Sequence, residues 1–131
     1  VGDVGTSVRG RLVELAGELV GSRIYPKQAP QNAALPYVVY QLISRVPSNS
    51  ANGPTGTFND RLQVDCIAAS DAAVKALAAL TRGLGGWSDA EGDPSVSMVL
   101  MLDEHDDFDS PGDGSESGVH RVVQEFSIWY S

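Results

Sequence analysis

The densest group of chemically capable side chains is DEHDDFD, residues 103–109, where five carboxylates surround His105. Carboxylate and imidazole are the ligand types of divalent metals. A calcium loop needs ligands at its first, third and fifth positions, Gly at the sixth and Glu at the twelfth. Counting from Asp107 puts Asp109 third and Gly112 sixth, but Pro111 fifth and Gly118 twelfth. That template fails. A zinc site fares no better, because His105 and His120 are the only histidines and Cys66 the only thiol. Two readings stay open: a solvated acidic loop, or a metal-binding module using Asp103, His105, Asp106 and Asp107. Nucleophilic chemistry has no support, since no Ser sits in a G-x-S-x-G turn. No G-x-x-x-x-G-K-[ST] and no G-x-G-x-x-G opens a helix. The sequence points away from an enzyme, and no catalytic residue, cofactor or resident metal is expected. Trp129 and Tyr130, at the end of the last apolar run, serve either sheet packing or an interaction hot spot.

Charge is segregated along the chain. The 17 acidic and nine basic residues give a formal charge of −8. Between Arg82 and Arg121 there are ten acids and no Lys or Arg. That segment cannot neutralise phosphates, so it is not a sequence-independent DNA-binding surface. Cys66 lies in the alternating run LQVDCIA and reads as a small buried hydrophobe rather than a reactive thiol. No signal-peptide core and no apolar run long enough to span a membrane is evident, so a soluble cytoplasmic product is expected. A length of 131 residues suits one domain, 1–131, able to bury a core without disulfide or metal.

The elements that must position these residues follow from periodicity. Val8, Leu12, Leu15 and Leu19, with Val13, Ala16 and Val20, predict a helix over 6–20, capped by Thr6 or Ser7 and stopped by Gly21. RIYPKQAPQNAALPYVVYQLIS, residues 23–44, begins as an arm broken by Pro26, Pro30 and Pro36 and ends as a strand. The strand covers 37–46, and PSNSANGPTG, 47–56, reads as a ten-residue loop. The next strand, 57–68, buries Phe58, Leu62, Val64 and Cys66 on one face. Ser70 caps a second helix whose stripe is Val74, Leu77, Leu80 and Leu84. Strands follow at 96–102 and 119–130, joined by an acidic connection, 103–118. The order α-β-β-α-β-β predicts an α+β fold: a four-stranded, mainly antiparallel sheet with two helices packed on one face, and long loops.

This ordered set of features resembles the tail completion, or tail terminator, family of long-tailed bacteriophages and phage-like gene transfer agents. The resemblance covers nearly the whole chain, from about Val8 to Tyr130. IYP…AP…ALPYVVYQ, 24–41, and LQVDC, 62–66, are its most specific parts; Ala- and Leu-rich helices add little. The resemblance implies a structural virion protein forming a ring, usually a hexamer in such families, on the head-proximal end of the tail tube. The ring stops tube polymerisation and gives the head connector a docking surface, and DNA passes through its lumen without specific binding. The partners implied are further copies of the chain, the tail tube protein and the connector or stopper protein, with no membrane. A head-tail connector adaptor or stopper is the alternative neck role. Within such a ring, the subunit or tube contact is expected from Pro26, Lys27, Gln28, Pro30, Gln31, Asn32 and Leu35 of the arm, together with Trp129 and Tyr130. A lumen-facing acidic loop is expected from Asp103, Glu104, Asp106, Asp107, Asp109 and Asp113.

Overall fold

A computed structural model describes residues 3–31, 33–51, 53–109 and 119–131. The first helix, α1, is Val4–Val20. Its apolar residues at intervals of four bury one narrow stripe: Val4, Val8, Leu12, Ala16 and Val20. Leu15 packs at the margin of the core, while Val13 and Leu19 are exposed, so the stripe is narrower than the apolar pattern suggests. Asp3, not Thr6 or Ser7, is the N-cap, and its carbonyl accepts from both of their backbone N–H groups. Gly21 ends the helix at φ 59°, a left-handed conformation that costs glycine little, with its N–H on the Gly17 carbonyl.

The sheet has five strands in the order β1-β2-β3-β5-β4, not four. The missed strand is β1, Ile24–Pro26, which pairs parallel with the start of β2, Tyr37–Ser50. Three residues are too few to show a period in sequence, and Pro26 closes the strand. The sheet is therefore mixed, with its other three pairings antiparallel.

β3 is Gly53–Ala68, so β2 and β3 continue through most of the stretch read as a loop over 47–56. Ser50 pairs with Gly53, and the connection is tight. Pro, Ser, Asn and Gly ordinarily mark loops. Here they sit in the distal part of a hairpin that extends past β5, whose last pairing is Phe58 with Tyr130. Two register shifts, after Leu42 and after Pro47, bend this hairpin.

The second helix, α2, is Asp71–Thr81, followed by a 3-10 turn over Arg82–Leu84. Ser70 caps it, its side chain accepting from the Ala73 N–H. Val74, Leu77, Ala78, Thr81 and Leu84 are buried; Leu80 is exposed. The last hairpin joins β4, Val96–Asp109, to β5, Val119–Tyr130. Residues 103–109 are therefore strand rather than loop, paired with 119–125. Polar composition hid this because the strand is at the sheet margin, where few side chains must be apolar.

α1 packs on β1 and β2, and α2 on β3 and β5, covering one face of the sheet. Between them lies one core that includes Val38, Leu62, Val64, Cys66, Phe126 and Ile128. α1 touches α2 directly and also meets the 3-10 turn that follows it. A Cβ added at Gly83 would sit 2.8 Å from a Leu15 methyl, so a side chain there would require Leu15 to shift.

Candidate assembly surface

Strand geometry divides the acidic segment. Alternate side chains on a strand point to opposite faces. Glu104 and Asp106 face α2, where Arg82 donates to both Glu104 carboxylate oxygens at 2.8 and 2.7 Å and Lys75 pairs with Asp106. Asp103, His105 and Asp107 fall on the other face, and all three are exposed. His105 Nδ1 lies 3.5 Å from an Asp103 oxygen. Among the described residues no three His, Cys, Asp or Glu side chains converge as a metal site. The Asp109 side chain and Asp113 lie outside the described residues.

Glu104 is the end of a polar chain that enters the core. Gln124 Nε2 donates to Glu104 Oε1 at 2.8 Å and to the Ala78 carbonyl at 3.0 Å. Thr81 Oγ1 donates to Gln124 Oε1 at 2.6 Å, and the Cys66 sulfur lies 3.3 Å from the same hydroxyl. The Arg82 guanidinium holds the Glu104 carboxyl below its ordinary value, and the Gln124 bond adds to this. Burial pushes the Cys66 thiol up to about 12, so it is an inert core group, as its sequence setting predicts. Gln124 and Thr81 are fully buried, and neither stands out in sequence from its polar neighbours.

The sheet face away from the helices is open along its outer strands, while Asp65, Ile67 and Val123 on its inner strands are buried. It presents Val46, 57% exposed, on β2 and Leu100, 48% exposed, on β4. At one end of this face the chain between β1 and β2 lies over its own sheet. Lys27, Gln28, Ala29 and Pro30 line a cleft of about 250 Å³ with Ile67 and Arg121. Ile67 is 1% exposed, and beside it Arg121 donates to Asp65 at 3.0 Å. Lys27 takes φ 67°, a left-handed conformation unfavourable for a side chain, in a tight turn closed by the Gln28 N–H on the Pro26 carbonyl. Pro26, Lys27, Gln28, Pro30, Gln31 and Leu35 are exposed; Asn32 lies outside the described residues.

Trp129 and Tyr130 part company. Trp129 is half-buried and paired with Asn59 and Met98. Tyr130 is 5% exposed and packs within its own chain. Its ring stacks on Phe58 at 5.5 Å, and its hydroxyl donates to Asp60 Oδ2 at 3.0 Å. Burial, and then the Asp60 carboxylate, push the Tyr130 hydroxyl up to about 12. Arg45 Nε reaches the same Asp60 oxygen at 3.3 Å, and its guanidinium lies 5.9 Å from both ring centres. Asp60 is fully buried, although its place among Phe58, Leu62 and Val64 already sets it on the inward face of β3.

What these elements provide is contact surface: a sheet face open along its outer strands, a hairpin that runs past β5, and a structured arm. Solved structures share the fold. A chain described as "Virion of native gene transfer agent (GTA) particle" matches over 94% of this chain and 90% of its own, at 16% identity and a TM-score of 0.67. A second solved chain matches over 95% of this chain and 92% of its own, at 12% identity and a TM-score of 0.56. Among curated proteins none matches. The model of the family described as tail completion protein gp17 matches residues 6–131. The chain belongs to this family, as its arm and strand motifs suggest. It is a structural component of a virion tail that assembles with other virion proteins, and not an enzyme. Among the described residues no helix is long and apolar enough to cross a membrane.

Proposed function

We propose that this chain forms a ring on the head-proximal end of the tail tube, ends tube polymerisation and gives the head connector its docking surface. The observation carrying this reading is the family match over 6–131, joined to a fold shared with a chain of a gene transfer agent virion. In this reading copies of the chain, six by family resemblance, surround a lumen through which DNA passes. Their partners are the tube protein on one side and the connector or stopper on the other.

The arm, Trp129 and the acidic strand supply the contacts. Exposed arm residues from Pro26 to Leu35 reach a neighbour or the tube, while Lys27 to Pro30 also shape the chain's own cleft. Tyr130 acts indirectly, by holding the end of β5 against Asp60. Of the acids expected at the lumen, Glu104 and Asp106 are engaged by α2, which leaves Asp103 and Asp107 as exposed charges. Asp103 and Asp107 make this wall negative, with Arg121 opposite Asp107 on β5, and a surface poor in Lys and Arg offers few counterion-releasing contacts, so DNA slides past it.

Tube growth in vitro tests the role. Added to polymerising tube subunits, the protein should arrest elongation at substoichiometric amounts. Unchanged growth, with binding to isolated connector complexes instead, would assign it to the connector side of the neck.

A further inference from the structure

Two margins of the sheet are open, and they are unlike. On one side β1 covers β2 only as far as Tyr40, leaving residues 41–50 paired on their inner side alone. On the other side β4 is the terminal strand. Its start is covered, because Gly86 donates to the Val99 carbonyl and Asp89 pairs with Val96. Residues 100–109 pair only with β5 among the described residues. Each margin is thus a ten-residue strand edge. Unpaired edges of this length are templates for another chain unless they are blunted.

Both margins also expose apolar side chains: Ile43 and Val46 on β2, Leu100, Met101 and Leu102 on β4. A cleft of about 280 Å³ opens beside the β2 edge, between the start of α1, Lys27 and Leu42.

Their charges are opposite. Residues 19–59, which form β1, β2 and the arm, contain Arg23, Lys27 and Arg45 and no acid. β4 carries Asp103, Glu104, Asp106, Asp107 and Asp109 and no Lys or Arg, and of these Glu104 and Asp106 are paired with Arg82 and Lys75. Lys27 is exposed at the first margin, and Asp103 and Asp107 are exposed at the second. Pairing like margins would set acid against acid or base against base, which costs affinity. Pairing unlike margins joins opposite charges and leaves one free margin of each kind, so copies add head to tail until they close.

We propose that the β4 margin of one copy docks on the β1–β2 margin of the next copy. This rests on the ring reading above and names the surfaces that make it.

Two complementary variants test it on the full chain. Asp103→Lys with Asp107→Lys blocks the β4 margin, and Lys27→Glu with Ile43→Glu blocks the other. All four side chains are exposed, so circular dichroism should match the parent, and Leu100→Ser gives a second block of the β4 margin. Native mass spectrometry at low salt should find a closed oligomer for the parent and a monomer for each variant alone. Mixing the two variants should restore association, since one unaltered margin of each kind remains and the two altered margins again carry opposite charges. Variants that still close like the parent, or a mixture that stays monomeric, overturn the margin assignment and leave the ring. A parent that remains monomeric both alone and with tail tubes overturns the ring reading and the margins with it.

Discussion

At the residue scale, polar groups hold the sheet to its helices. Glu104 is the clearest case, because one carboxylate takes two bonds from Arg82 and one from Gln124. Its folded-state pKa lies below the ordinary 4.5. A carboxyl with a depressed folded value stabilises the fold above its unfolded value, and that contribution is lost as pH falls through the folded value. Glu104→Gln should therefore lower the urea midpoint at pH 7, by about 1–2 kcal/mol in unfolding free energy. The difference should shrink as pH falls through the folded value, below which both chains carry a neutral group. A gap that stays unchanged as pH is lowered to the acid limit of the folded state would mean that packing, not charge, accounts for the effect. The segment 103–109 shows what sequence conveys at this scale and what it does not. Its composition announces a concentration of charge. Which of its acids are already engaged depends on strand alternation against Lys75 and Arg82, and that becomes visible only when the segment is known to be strand.

At the element scale, strongly periodic segments were legible and marginal ones were not. The two helices, the Ser70 cap, the Gly21 stop and β5 follow from spacing and residue type. The three-residue β1, the distal hairpin of β2 and β3, and the acidic half of β4 do not. Each lies where a strand is paired on one side or by its hairpin partner alone, so little burial disciplines its composition. The arm belongs to this class. Its prolines suggested a projection toward another subunit, yet its first part lies over Ile67 and lines a cleft with Arg121. It therefore has a local role whether or not its exposed residues also meet a partner. Replacing 29–34 by an equal length of Gly and Ser keeps the crossover from β1 to β2 long enough to close. The replacement should leave a folded monomer, weaken it by about 1–2 kcal/mol through partial exposure of Ile67, and abolish ring formation. Chemical denaturation with light scattering reads both effects. Full ring formation by the replaced chain would remove the arm from the subunit contact.

At the scale of the whole molecule, the chain is built to be incomplete. Its helices seal one face of the sheet, while the outer strands of the other face and two long margins stay open. Its charge is sorted so that one margin is basic and the opposite one acidic. The β2–β3 hairpin also outruns β5 at Tyr130, so the two ends of the sheet differ. A ring placed between two different assemblies needs such polarity, with lateral contacts that close and ends that differ. Sequence motifs were sufficient to reach the tail completion family, but the surfaces serving assembly required the fold. Electron microscopy of purified tail tubes mixed with the protein tests the central claim most directly. The account predicts a compact cap of rotationally symmetric density at one end of each tube only. Density along the tube wall, at both ends, or at neither would contradict it.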